Sequence, residues 1–128
     1  PEEWNRARKL TARQAHSRCE ICGGRGPQWP VECHEVWHYD DAQSVQTLVR
    51  LIALCPACHA VKHLGLAELQ GHLAAARAHF CEVNQWTETE ANRYFADVWR
   101  VWEARSQHEW RLDLSWLQQY GIVVPPKR

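Results

Sequence analysis

Two C-x-x-C pairs, Cys19-Glu20-Ile21-Cys22 and Cys55-Pro56-Ala57-Cys58, limit what this chain can fold into more than any other feature. Four thiols at that spacing suit tetrahedral thiolate coordination of zinc. The flanking residues agree with this. Gly23, Gly24 and Gly26 follow Cys22, and glycine's freedom at positive φ lets backbone N–H groups fold toward sulfur. Pro56 follows Cys55, as befits the first residue of a helix. Because Cys22 and Cys55 stand 33 positions apart, one ion on all four sulfurs clamps the whole intervening segment. Disulfide pairing is the alternative, and the lack of a secretory leader argues for reduced thiols. The remaining cysteines, Cys33 and Cys81, read as buried apolar thiols.

A chain of 128 residues is expected to form one domain with a modest core. Fifteen basic residues balance fifteen acidic ones, so no global field points to nucleic acid or to a membrane. Locally, Arg6, Arg8, Lys9, Arg13 and Arg18 outweigh Glu2 and Glu3. That basic segment, 1–18, either lies along a phosphate backbone or is the solvated face of a helix. No apolar run is long enough to span a bilayer, so a soluble, cytoplasmic protein with no membrane partner is expected.

Along the chain, 2–17 reads as a helix with Trp4, Thr11 and Ala15 at helical spacing, and "GGRGP" closes the first cysteine knuckle. A strand is expected over 29–37, a polar connection at "HYDDAQS", and a second strand over 45–55, whose "TLVRLIAL" fits a helix equally. From Pro56 a helix carries His59 and His63, with Gly65 as its stop. "LAELQGHLAAARAHFCEV" continues in helix, and Thr87 with Glu90 forms a capping box for another. That last helix sets Ala91, Tyr94, Phe95, Val98, Trp99 and Trp102 on one side. Asp113 is expected to cap a short helix ending at Gly121. Of the eight tryptophans, Trp99, Trp102, Trp110 and Trp116 are expected in the core. Trp29 and Trp37 flank the first strand, either packed beneath it or lining a groove.

The segment "VECHEVWHYDD" concentrates Cys33, His34 and Glu35 where a strand would alternate core and surface. On the helix after Cys55, His59 is rotated by about 100° from the ligand Cys58. His63 follows on the same face, a spacing that lets two imidazoles share an ion. A hairpin clamped opposite that face would present His34 and Glu35. The residues therefore point to a second metal site on His34, His59 and His63, with positions open to water and substrate. Taken singly, each histidine is more often a surface residue than a ligand.

The run C-x-x-C, then E-x-H-E-V on a strand, then L-x-x-L-C-x-x-C-H-x-x-K-H resembles the zinc-containing HNH endonucleases of the ββα-metal fold. The resemblance covers 19–64. It implies an α+β, mostly helical chain in which a zinc-stapled ββα-metal core over 19–64 lies between a basic N-terminal helix, 1–18, and a helical extension, 65–128. It implies metal-dependent hydrolysis of phosphodiester bonds, in DNA or else RNA. The cofactors would be structural zinc and a catalytic divalent ion, Mg²⁺, Mn²⁺ or Zn²⁺. Carried over by position, His34 is the strand ligand, Glu35 the general base, and His59 and His63 the helix ligands. Arg50 falls on the family's central Asn and Glu35 on its histidine, two departures from the pattern. Arg50 lacks an acceptor but suits a bidentate grip on the scissile phosphate, with Lys62 offsetting further charge. In a shifted register Cys33 is the ligand and His34 the base. For His34 and Glu35 both to face the chemistry, a bulge or strand end is needed at that point. Symmetric double-strand cleavage would favour a homodimer. The rival readings are a non-catalytic zinc module that grips nucleic acid or protein, and a scaffold whose tryptophan-rich helices bind a partner.

Overall fold

In the computed structural model, residues 2–122 are described; positions 1 and 123–128 of the expected terminal segments lie outside them. Helix α1 spans Glu2–Gln14, with Glu2 and Glu3 in its first turn and Arg13 in its last, each sign complementing the helix dipole. Ala7 and Thr11, one turn apart, form its buried stripe. The helix ends three residues before the expected 17, because His16 and Ser17 both take φ 55°, a left-handed turn that leads into the cysteine knuckle.

Two antiparallel strands follow, β1 over Glu32–Asp40 and β2 over Val45–Leu54. β1 begins and ends later than expected and takes in residues placed in the connection. Tyr39 explains the extension: its ring packs edge-on against Trp110 at 5.5 Å and lies under the Arg105 guanidinium at 4.1 Å.

The register fixes what each strand residue faces. Glu32 pairs with Leu54, His34 with Ile52, Glu35 with Leu51 and Val36 with Arg50, but Trp37 pairs with Leu48, leaving Val49 as the extra residue. This bulge switches the alternation of β2. Leu48 and Leu51, three apart, are therefore both buried in one cluster with Ala7 of α1, with Cys33 and Trp37 packed against it. Val49 is turned outward. On the other face, Ile52 and Leu54 pack against Cys19, Cys55 and Cys58.

Four helices come next: α2 (Pro56–Lys62), α3 (Leu64–Leu69), α4 (Leu73–Asn84) and α5 (Glu88–Ser106). Gly65 is not the stop that the sequence suggests. The break falls at His63, whose φ −125° and ψ 55° end α2, and Gly65 lies inside α3. The capping box opens α5 as expected, with Thr87 and Glu90 bonded reciprocally.

The expectation that Trp99 and Trp102 are core residues is overturned. They are 58% and 56% exposed and stack on each other at 4.8 Å. The first part of α5 packs on α4, with Ala91 buried and Phe95 against Phe80 at 4.6 Å, and its last turn meets β1 through Arg105, which lies over Tyr39 and pairs with Asp41. Between these contacts, Val98, Trp99, Val101 and Trp102 form an exposed apolar stripe. Trp116, by contrast, does pack against the α1 cluster.

The C-terminal segment returns to the sheet rather than remaining helical throughout. Strand β3, Arg111–Asp113, pairs parallel with the start of β2, giving the order β1-β2-β3. Asp113 accepts the Ser115 backbone N–H at 3.1 Å and its hydroxyl at 2.7 Å, but Leu114, not Asp113 as expected, is the N-cap of the 3₁₀ helix over Ser115–Tyr120, which ends at Gly121 with φ 77°. The chain is thus α+β, with about half of it helical. Among the described residues no helix is long and apolar enough to cross a membrane.

Candidate metal centre

The four knuckle cysteines converge. Cys19, Cys22, Cys55 and Cys58 bring their sulfurs within 4.8 Å of one another, and Cys22 Sγ lies 3.6 Å from Cys55 Sγ. Backbone donors surround them as the glycine-rich knuckle requires: Cys22 N–H points at Cys19 Sγ (3.5 Å), Gly24 N–H at Cys22 Sγ (3.4 Å) and Cys58 N–H at Cys55 Sγ (3.4 Å). Cys55 is at once the N-cap of α2 and one of the four sulfurs, so the cluster fixes where that helix begins. All four are free thiols, not disulfides.

The electrostatics fit a cluster that could hold a cation. Burial pushes the Cys55 and Cys58 thiols up, and neighbouring sulfurs add to the effect. At Cys19 burial also resists ionisation, but N–H donation from Cys22, Cys55 and Ile21 outweighs it and brings the thiol down to about 7. Ionising Cys19 raises Cys55 and Cys58 further, by charge repulsion on top of burial. A divalent cation would relieve that repulsion, so donor set and spacing both fit a structural metal such as zinc. Tight anchoring to the sheet completes the clamp: the Glu20 carboxylate accepts the Ala53 backbone N–H at 2.6 Å and Arg50 Nη2 at 2.7 Å.

With α2 set by Cys55 and Cys58, the helix turns His59 away from the sulfurs and toward β1. There His34, His59 and His63 form a second cluster whose donor atoms lie within 4.8 Å of one another. Ring centroids are 5.1 Å apart for His34–His59 and for His34–His63, and 4.8 Å for His59–His63. His34 Nδ1 is buried and has no hydrogen-bond partner, the sole such side-chain atom among the described residues. Leaving a buried polar nitrogen unpaired costs roughly 1–3 kcal/mol, which a bound cation would recover. Burial first, and then the neighbouring His59 and His63, push His34 down to about 4. Burial, followed by His59, also lowers His63. Both imidazoles are therefore favoured in the neutral form a metal requires.

One residue at this centre is missed by the sequence reasoning. Glu32 Oε1 accepts a hydrogen bond from His59 Nδ1 at 3.0 Å, which fixes the tautomer and leaves Nε2 as the lone-pair donor. Its sequence signal is the Glu32-x-His34 spacing, which places both side chains on one face of a strand. A second such residue is His79 of α4, whose Nε2 lies 3.1 Å from Cys58 Sγ.

Other expected site residues are placed differently. The irregularity needed to bring Glu35 beside His34 falls at Val49 instead, opposite the Val36/Trp37 step. Alternation is regular through His34 and Glu35, so Glu35 leaves the opposite face, where Cys33 and Leu51 pack toward α1. Glu35 is still close enough to raise the proton affinity of both His34 and His63. Cys33 lies outside the histidine cluster, on the face packed toward α1, and burial pushes its thiol up, which does not favour the shifted register in which it is a ligand. Arg50 Nη2 pairs with Glu20 Oε1 at 2.7 Å, and about half of the Arg50 side chain stays exposed. Lys62 stands exposed at the end of α2, near enough to oppose protonation of His34.

Taken together, fold and site define an α+β chain that carries a four-cysteine cluster and a three-histidine cluster, each able to bind metal, on a strand–strand–helix unit. No protein-family model, curated protein or solved structure matches the chain.

Proposed function

We propose that this protein is a metal-dependent endonuclease of HNH type that hydrolyses phosphodiester bonds of DNA. The observation that carries the reading is the convergence of His34, His59 and His63, with one buried nitrogen left unpartnered, on a hairpin and helix clamped by four cysteines. The order β1, β2, α2 with ligands from the first strand and the helix is the order of a ββα-metal unit.

A divalent ion held by His34, His59 and His63 would supply Lewis-acid stabilisation of the phosphate and of the leaving oxygen. The chain's own residues do the remainder. Glu32 orients His59 through Nδ1. Burial keeps His34 neutral, and its position on a paired strand keeps it fixed. Lys62, on the exposed end of α2, offsets phosphate charge. A carboxylate takes the proton from the attacking water. Glu35 fills that role in the family's order, and Glu32 is the carboxylate already in contact with the cluster.

The test is supercoiled plasmid incubated with Mg²⁺, Mn²⁺ or Zn²⁺ and with EDTA. Nicking by wild type, lost in His59→Ala with the fold retained, is the expected result. Inert, folded wild type across all three metals would sink the enzyme. Glu35→Gln beside Glu32→Gln identifies the proton acceptor. A second reading, a non-catalytic zinc module, is favoured by the Arg50–Glu20 ion pair and by Glu35 leaving the opposite face of β1. Binding of DNA without cleavage under the same conditions would select it.

A further inference from the structure

Two clefts flank the histidine centre, and Trp29 lies between them. One, about 660 Å³, is lined by Arg8 and Lys9 of α1 together with Trp29, Glu32 and His59. The other, about 680 Å³, is lined by His63 and Gln70 together with the same Trp29, Glu32 and His59. The three shared residues form a ridge between basic walls on one side and the open edge of the metal centre on the other. Trp29 is 49% exposed, so about half of a large aromatic surface has nothing covering it.

The loop that holds Trp29 is fixed in place. Gly26 N–H bonds to Pro30 C=O at 2.9 Å, closing the turn. A Cβ at Gly26 would come within 2.3 Å of Trp29 O and 2.7 Å of Pro56 Cδ, so only glycine lets the loop sit this close to the start of α2. The same residue, Pro56, opens the helix that carries His59. The Trp29 backbone and the histidine centre are thus referenced to one point.

Resting on the nuclease reading above, we infer that Trp29 is a stacking platform for one unpaired base of a single-stranded, frayed or flipped nucleic acid. It seats the nucleotide next to the histidine centre, with the neighbouring backbone running toward Arg8 and Lys9. The chemistry suits the position. An indole face accepts any base, and side chains such as Arg8 and Lys9 neutralise the adjoining phosphates without reading sequence. A preference for unpaired over fully paired substrate follows, because a base already stacked inside a duplex has no free face to offer the indole.

The experiment measures binding of fluorescein-labelled single-stranded oligonucleotides by anisotropy, in a buffer that keeps zinc on the cysteine site and in which no cleavage occurs. Wild type is compared with Trp29→Ala, Trp29→Phe and Trp29→Leu, each checked for fold by circular dichroism. Loss of one base–aromatic stack predicts about tenfold weaker binding for Trp29→Ala and Trp29→Leu, with Trp29→Phe close to wild type. A fully abasic oligonucleotide of the same length should bind wild type about tenfold more weakly than the intact one and should bind Trp29→Ala no differently. Equal affinity of folded wild type and Trp29→Ala, or no loss of wild-type binding to the abasic strand, overturns the inference, as does absence of binding by wild type. Because none of these readouts needs cleavage, a protein that cuts plasmid normally after Trp29→Ala and binds as before refutes the platform alone. One that stacks bases but never cuts refutes the nuclease alone.

Discussion

Substituting Cys58 by serine tests the physical basis of the whole site. Cys58 is buried in the four-sulfur cluster and contacts His79, and its neighbour His59 belongs to the histidine centre. Cys22 and Cys55 are 33 positions apart, and cross-linking a loop of that length removes about 4 kcal/mol of chain entropy from the unfolded ensemble. A domain of this size has roughly 5–15 kcal/mol of stability in total, so breaking the cross-link removes a large part of it. At about 3 °C per kcal/mol, Cys58→Ser should melt roughly 12 °C below wild type. It should also lose its zinc, by metal analysis on the desalted protein. Cys33→Ala is the control. Cys33 packs on the other face of the sheet against α1, so the variant should lose about 1 kcal/mol, roughly 3 °C, and keep its zinc. Thermal melts by circular dichroism, with metal content on the same samples, read both. Equal losses in the two variants, or Cys58→Ser retaining zinc and midpoint, would show that the cysteine cluster does not hold the hairpin to α2.

Further outcomes follow from particular contacts. Leu54 is fully buried between the sheet and the knuckle, so Leu54→Ala should cost about 3 kcal/mol in urea denaturation at unchanged slope; a loss under about 1 kcal/mol would refute that packing. Glu32→Gln weakens the hold on His59, so Co²⁺ titration of the histidine centre should show affinity at least tenfold lower, with zinc on the cysteines untouched. For pH, His34 is pushed down to about 4 in the fold against roughly 6.5 in an unfolded chain. Between these values the unfolded state binds more protons, so this contribution is fully present above about 6.5 and is lost as pH falls toward about 4. With one equivalent of zinc on the cysteines, His34→Gln should flatten that part of the pH–stability profile. An unchanged slope would place His34 in contact with solvent.

Much of the site was legible because short spacings carry local geometry. C-x-x-C followed by glycines gave a thiol knuckle, proline after Cys55 gave a helix start, and His59 with His63 four residues on gave two neighbouring imidazoles, one within α2 and one at its C-cap. The capping box at Thr87 and the stop at Gly121 are equally local, since each is a hydrogen bond or a positive φ within four residues. The errors lie where distant residues decide. Val49 takes the bulge because Leu48 and Leu51 must both reach the α1 cluster, and no pattern within β1 reveals that. Trp99 and Trp102 sit on an amphipathic stripe that reads as core-facing, yet amphipathicity only says that a face is apolar and not that another element covers it. β3 was missed because three residues show no periodicity, and its pairing partner lies more than 60 positions away.

By itself the sequence determined the inventory and its local placement: four thiols spaced to hold one ion, two imidazoles four residues apart after Cys55, and the basic helix ahead of them. It could do so because caps, turns and side-chain spacing act within a few residues of backbone. Only the tertiary structure decided which carboxylate meets His59, that Arg50 pairs with Glu20, and that Trp29 lines two clefts beside the histidines. Those outcomes depend on the strand register and on the bulge at Val49, set by burying Leu48, Leu51 and Leu54 at once on two faces of one strand. That constraint joins residues far apart in the chain, and no local pattern records it.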